Sequence, residues 1–204
     1  PVLGENIAPT NTNYFRDKFS IPNESKIFLY IGILGKGRGI ELILNTFINN
    51  QDLSSHIVFL GYGELKNYLT ETSKNYKNIH VHDAVSHAEV VSIAKSADIG
   101  LCLIENISLS DYYCLPNKLF EYSMAGLPVI VSNMKEMREL VEKYDMGIVV
   151  TDDKIESMNN AIDKILQSDI KQMKQNARRC AEENSWEKQE VKMINEYKRV
   201  LNGK

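Results

Sequence analysis

Apolar residues fall in short, nearly unbroken runs, separated by longer stretches in which they recur every three or four positions. Ile27-Phe28-Leu29-Tyr30-Ile31 and Val129-Ile130-Val131 are runs of the first kind, as expected when helices cover both faces of a strand and leave it no polar side. Such runs predict strands over residues 26–33, 56–60, 78–82, 98–104, 128–132 and 147–150. The periodic stretches between them predict helices over 39–48, 64–76, 87–96, 116–125 and 135–144. Strands alternating with helices build a parallel sheet, so the expected fold class is α/β, doubly wound. After residue 150 the strand signal stops, and 155–166, 170–184 and 187–201 read as helices appended to the sheet, a tail from about residue 152. In the last of these, Val191, Ile194, Tyr197 and Leu201 form an apolar stripe beside Lys188, Lys192, Lys198 and Arg199. That pattern suits a helix packed on its own or a neighbouring domain, or one lying on a membrane surface. Residues 1–13, which include Gly4-Glu5-Asn6-Ile7-Ala8-Pro9-Thr10, read as a linker from an upstream domain, leaving 14–204 as the second half of a longer protein.

Composition narrows the class. In 204 residues, 43% are hydrophobic, enough for a full core, which excludes a disordered tail or a stapled mini-protein. Twenty-four Lys and Arg against 27 Asp and Glu give a formal charge of −3 without a long basic run, so no nucleic-acid partner is expected. No apolar stretch approaches the roughly 20 residues of a transmembrane segment, and residues 1–10 lack the regions of a signal peptide. Cys102, Cys114 and Cys180 are odd in number and far apart, which fits a reduced, cytoplasmic compartment. His80 and His82 stand two apart in a strand, where they either share a metal or are ordinary strand residues; no acidic or cysteine cluster completes a site, so no metal is expected.

Candidate chemistry gathers where strands run into helices. Gly32-Ile33-Leu34-Gly35-Lys36-Gly37-Arg38-Gly39-Ile40-Glu41 sets four glycines and two cations at the first such turn. Glycines admit a ligand close to the backbone, a helix start offers free N–H groups, and Lys36 and Arg38 add charge, which together suit a phosphate or diphosphate. A tight connection would need similar residues. The spacing is neither Gly-x4-Gly-Lys-Ser/Thr nor Gly-x-Gly-x-x-Gly, which argues against a nicotinamide cofactor. Gly61 and Gly63, in Leu60-Gly61-Tyr62-Gly63-Glu64, and the segment Asp83-Ala84-Val85-Ser86-His87 form further turns at carboxyl ends of strands, the edge where open α/β sheets bind ligands. His87 reads as a surface or capping residue.

The segment from Asp111 to Tyr122 is the richest. Pro116 suits a first helical position, placing Asn117, Lys118 and Glu121 in the first turn and a half. Glu121 either accepts two hydrogen bonds from a vicinal diol such as a ribose, or forms an i,i+3 ion pair with Lys118. Phe120, Met124 and Leu127 form the stripe expected to face the sheet.

Together these segments, with Ser96-Ala97-Asp98-Ile99-Gly100 and Leu115-Pro116-Asn117-Lys118-Leu119-Phe120-Glu121-Tyr122-Ser123-Met124-Ala125-Gly126-Leu127-Pro128-Val129-Ile130, resemble the C-terminal, donor-nucleotide-binding half of a GT-B glycosyltransferase of the retaining family 4 group. The resemblance implies a Rossmann-like sheet, half of a GT-B fold. It implies a nucleoside-diphosphate-sugar donor, UDP-sugar favoured and GDP-sugar open, and no cofactor. It also implies a glycan or lipid-linked acceptor bound through a missing N-terminal domain. By position, Arg38 takes the role of the diphosphate-neutralising cation with Lys118, and Glu121 that of the ribose reader. Gly35, Lys36, Gly37, Gly61 and Gly63 line the donor, Ala84 and Val85 flank the base, and Tyr113, Leu115, Pro116 and Asn117 lie by the diphosphate and sugar.

Two positions depart from the family pattern. A glutamate is common eight residues before the one matching Glu121, and Tyr113 stands there. A basic residue often follows the first-strand glycine, and Ile33 stands there. The alternatives are a sugar-nucleotide epimerase of the same architecture and, in a different class, a non-catalytic nucleotide-sugar-binding module. The expected location is the cytoplasm or the inner face of its membrane.

Overall fold

A computed structural model describes residues 12–50 and 54–203. Residues 1–11 of the expected linker lie outside these, and Thr12 and Asn13 form a turn into the first helix. The strands are β1 (Lys26–Ile33), β2 (Ser55–Tyr62), β3 (Ile79–Asp83), β4 (Ile99–Cys102), β5 (Val129–Ser132) and β6 (Gly147–Val150). They pair in parallel in the order β3-β2-β1-β4-β5-β6. The winding direction reverses between β1 and β4, and such a reversal opens a crevice at the carboxyl edge of the sheet. The ladder there is short: Phe28, Leu29 and Tyr30 pair with Ile99, Gly100 and Leu101.

The helices are α1 (Tyr14–Phe19), α2 (Ile40–Asn49), α3 (Lys66–Ser73), α4 (His87–Ala94), α5 (Leu109–Tyr112), α6 (Asn117–Ala125), α7 (Lys135–Tyr144), α8 (Ile155–Gln167), α9 (Ile170–Glu183) and α10 (Trp186–Leu201). Alternate strand residues enter two cores. Ile27, Leu29 and Ile31 of β1 pack with residues of α1, α4, α6, α7 and α9, while Phe28 and Tyr30 pack with those of α2, α3 and α8. Both faces are therefore covered, which is why the strands read as continuous apolar runs.

Three expectations need correction. The C-terminal helices are not simply appended. Met158, Ala161, Ile162 and Ile165 of α8 complete one core, and Ala177 and Cys180 of α9 complete the other. Tyr144 at the end of α7 donates to Glu183 at 2.8 Å and accepts from Asn184 at 3.0 Å. Secondly, α1 and α5 were not foreseen. Six- and four-residue helices hold too few turns for a periodic signal, and α1 is held by tertiary bonds instead. Arg16 donates to the carbonyls of Pro22 and Ser25 and to Asp98, whose same carboxylate oxygen accepts the Ile27 amide at 2.9 Å. Thirdly, α6 turns Leu119, Tyr122, Ser123 and Ala125 inward, while Phe120 and Met124 are only partly buried. The helix is thus rotated by one residue from the Phe120–Met124 stripe. By contrast α10 has no buried residue, and Val191, Ile194, Tyr197 and Leu201 are exposed along it. Packing on its own domain is thereby corrected for α10 among the described residues.

The rotation of α6 is explained by Tyr122. Its ring lies against Gly100 of β4, where a Cβ would come within 2.5 Å of it. Its buried hydroxyl accepts the Ile31 amide at 2.9 Å and points its proton between the carbonyls of Leu29 at 3.0 Å and Leu101 at 3.1 Å. One side chain thereby satisfies both backbones at the place where the β1–β4 ladder gives out. Tyr122→Phe should leave these groups unpaired and cost about 1–3 kcal/mol, read as a lower melting temperature with unchanged far-UV circular dichroism.

Candidate functional site

The crevice between β1 and β4 is bounded by the β1–α2 turn, the segment from Leu103 to Pro116, and the start of α6. Gly39 caps α2 in the left-handed region, at φ 66°, and a Cβ there would meet the Leu103 side chain at 2.5 Å. The amide of Glu105 donates to the Gly37 carbonyl at 3.1 Å, and Ile107 lies against Gly37. The β1 and β4 loops therefore brace one another and hold Gly35, Lys36, Gly37 and Arg38 in a defined turn. On its other side the Lys36 amide donates to Glu64 at 3.3 Å. Gly61 pairs with Gly32 in the β1–β2 register, and Gly63 closes against the Leu34 backbone. Close packing alone accounts for glycine at both positions.

The α6 side chains diverge around this turn. Lys118 reaches into the crevice, where its Nζ lies 3.8 Å from the Tyr30 ring centroid and next to Gly32. Tyr30 is itself buried, and its hydroxyl donates to the Ile33 carbonyl at 2.9 Å. Burial pulls the Lys118 ammonium down to about 8; Cys102, Glu121 and Cys114 oppose that shift and Arg38 adds to it. Glu121 turns the other way. Its carboxylate is 16% exposed and lies 3.8 Å from Nδ1 of His87, on α4. Burial pushes this carboxyl up, while His87 and Lys118 pull it down. Of the two readings of Glu121 left open by the sequence, the Lys118 ion pair gives way to this arrangement, with the cation over an aromatic ring and the carboxylate beside an imidazole.

The remaining candidates lie around the same edge. Pro116 is the N-cap of α6 rather than its first residue, so Asn117 and Lys118 are the first two helical positions, whose amides have no partner within a helix. Ala84 is exposed and Val85 packs partly on the core. Leu115 and Tyr113 are exposed, and the Tyr113 ring lies 5.3 Å from the Nζ of Lys135 at the start of α7. Part of the segment expected as a loop before α6 is the helix α5, capped by the Ser108 side chain. Cys102 is buried against Met137 with its thiol pushed up to about 12, and burial also raises Cys114. His80 stacks between His56 and Phe19, and His82 bonds to the Tyr14 hydroxyl at 2.7 Å. These histidines hold α1 in place. No cluster of three or more potential metal ligands occurs among the described residues.

Sequence reasoning passed over His87 and Tyr30 as site residues. The signal for His87 was its place at a helix start on the ligand edge. Ser86 forms the capping box with Glu89 and leaves His87 free to face Glu121. Tyr30 reads as one more apolar strand residue, and nothing local reveals that a lysine 88 positions later will lie over it.

The crevice, the braced glycine turn and the α6 pair lie together at the carboxyl edge of the sheet, where open α/β folds bind ligands. Residues 11–183 match the family model described as glycosyl transferases group 1, and the chain belongs to this family. It is similar to glycogen synthase from Aquifex aeolicus, 28% identical over 106 residues, which cover 48% of this chain and 23% of that protein. Its fold is that of sucrose-phosphate synthase from Thermosynechococcus elongatus, with TM-score 0.76, 17% identity, and coverage of 97% of this chain and 51% of that one. HepE from Anabaena, solved in complex with UDP, aligns with TM-score 0.71 at 13% identity, over 93% of this chain and 53% of its own. The chain thus spans about half the length of these solved structures, and the Rossmann-like α/β fold of GT-B glycosyltransferases is the one expected.

The enclosure of Lys118 has a measurable consequence. After reductive methylation with carbon-13, its NMR signal, assigned by its loss in Lys118→Arg, should titrate near pH 8. Surface lysines should titrate near 10.4. A midpoint among these would place its amine in open water.

Proposed function

We propose that this chain is the donor-binding half of a retaining glycosyltransferase that moves a sugar from a nucleoside diphosphate to an acceptor hydroxyl. The supporting observation is the split on α6. Within one turn the helix offers a cation to the phosphate-type turn in the β1–β4 crevice and a half-buried carboxylate to the opposite side, toward α4. A nucleoside diphosphate has the complementary order, two phosphates followed by a ribose diol. Arg38 and Lys118, with the amides of Asn117 and Lys118, neutralise the diphosphate; Gly35, Lys36 and Gly37 allow it close to the backbone. Glu121 accepts hydrogen bonds from both ribose hydroxyls. Gly61 and Gly63 border the donor, Ala84 and Val85 flank the base, and Tyr113, Leu115 and Pro116 lie along the sugar.

In transfer, the bond between the anomeric carbon and the diphosphate oxygen breaks, and its electron pair stays with the diphosphate. Preorganised positive charge at Arg38 and Lys118 stabilises that developing charge, the part a metal ion would otherwise take. The acceptor oxygen then bonds to the anomeric carbon on the face the diphosphate left, and its hydroxyl proton passes to the departing diphosphate oxygen. The acceptor, a glycan or a lipid-linked sugar, is held by a domain outside this chain. Among the described residues no helix is long and apolar enough to cross a membrane. The favoured base is uracil, by analogy with the UDP that HepE is described as binding.

Calorimetric titration with UDP, GDP and ADP tests this reading. One nucleotide, UDP, should bind, without dependence on added chelator. Glu121→Ala and Arg38→Ala should each weaken it by about 10- to 100-fold, the value of one or more charge-assisted hydrogen bonds. Equal, weak binding of all three nucleotides that is unmoved by either substitution would sink the proposal.

A further inference from the structure

The contact between His87 and Glu121 joins two elements that are far apart in sequence, and the backbone at both ends is fixed. Glu121 is set by Tyr122, the next residue, whose hydroxyl is locked between β1 and β4. His87 is set by the capping box before it: the Ser86 amide and hydroxyl both donate to Glu89, at 3.1 and 2.6 Å, and the Glu89 amide donates back to the Ser86 carbonyl at 3.0 Å. Between them, Val90, Val91 and Ala94 of α4 share a core with Leu119 and Tyr122 of α6. At 3.8 Å, with the imidazole 91% exposed, His87 is an ionic neighbour of the carboxylate without occupying it as a hydrogen-bond donor. Both carboxylate oxygens remain available to a ligand.

We infer that His87 is a positioning residue that keeps Glu121 charged and oriented to read a vicinal diol, and so makes nucleotide affinity depend on pH. This rests on the nucleotide reading of the crevice and deepens it. Among the described residues, Lys118 also lowers the Glu121 carboxyl, but the other charged groups near the pair have contacts elsewhere. Lys118, on the same helix, lies over Tyr30; Glu89 is taken up by Ser86; Asp83, at the end of β3, is paired with Lys66. The Cys102 thiol, at the end of β4, is held neutral by burial. His87 is therefore the cation that α4 contributes to Glu121.

The direction of the effect follows from charge. Burial favours the protonated form of Glu121, and protonation turns one carboxyl oxygen into a donor and weakens the hydrogen bonds it accepts from a diol. A cationic imidazole opposes that protonation. Removing it raises the carboxyl's pKa, so binding is lost at a higher pH as the solution is acidified. A neutral imidazole carries no such charge, so the difference fades as the pH rises.

Calorimetric titration of UDP from pH 5.5 to 8.5 tests this with the wild type, His87→Ala and His87→Lys. Inorganic pyrophosphate, which has the phosphates but no diol, is the second probe. At pH 5.5 His87→Ala should bind UDP about two- to fivefold more weakly than the wild type, the range expected of an exposed ion pair. The two should converge by pH 8, and His87→Lys should restore the acid limb. Pyrophosphate affinity should be the same in all three proteins. Parallel pH profiles for wild type and His87→Ala would overturn the inference, as would an equal loss of pyrophosphate binding. Failure of every form to bind UDP at any pH would instead overturn the nucleotide reading, and this inference with it.

Discussion

The Tyr122 hydroxyl, wedged between the backbones of β1 and β4, is the contact on which the site depends. Where a parallel ladder ends between two diverging strands, amides and carbonyls lose their partners, and a buried unpaired group is costly. Tyr122 meets that need from α6. In doing so it fixes the rotation and height of the helix, and with them the directions of its neighbours. Lys118, one turn earlier, falls into the crevice; Glu121, one residue earlier, falls outside it toward α4. The opposed placement of cation and carboxylate thus follows from a requirement of the sheet.

Electrostatics then differentiates the two ends. Lys118 has an aromatic face and a glycine around it and no carboxylate in contact, so its charge is held against the cost of desolvation and is available to an anion. Glu121 is also desolvated, but beside an imidazole. Each group is left short of a full counter-ion within the protein. Such incompletely neutralised charges at the carboxyl edge of an open sheet support the proposed reading of this edge as a donor site.

Much of this was legible in the sequence. The bounds of β1, β6 and α7 match those expected, because each is delimited by a sharp change of pattern: an apolar run ending at glycine, or a helix stopped where Asp145 adopts the left-handed conformation. The turn at residues 32–41 and the segment at 115–122 were visible because glycine, proline and charge are concentrated there. What escaped detection depended on residues distant in the chain. The inward face of α6 is chosen by Gly100, which leaves room for a tyrosine ring, and no helical periodicity within 117–125 encodes that. Tyr30 takes its role from Lys118, and His87 from Glu121. The helix α1 exists because Arg16, Tyr14 and Phe19 find Asp98, His82 and His80. The tail misled for a similar reason: α8 and α9 look alike in sequence, yet α8 packs on one face of the sheet and α9 mainly on the other.

That division of the tail has a consequence for how the protein is made. As synthesis proceeds from the N-terminus, all six strands have emerged by residue 150, but both apolar faces still lack part of their cover. The helix bearing Lys118 and Glu121 gains its backing only when α9 docks behind it, with Arg178 against Gly126. The ligand edge is therefore backed by helices made after the sheet, and a chain ending at residue 150 would leave apolar surface uncovered on both faces. Exposed apolar surface of that kind favours aggregation.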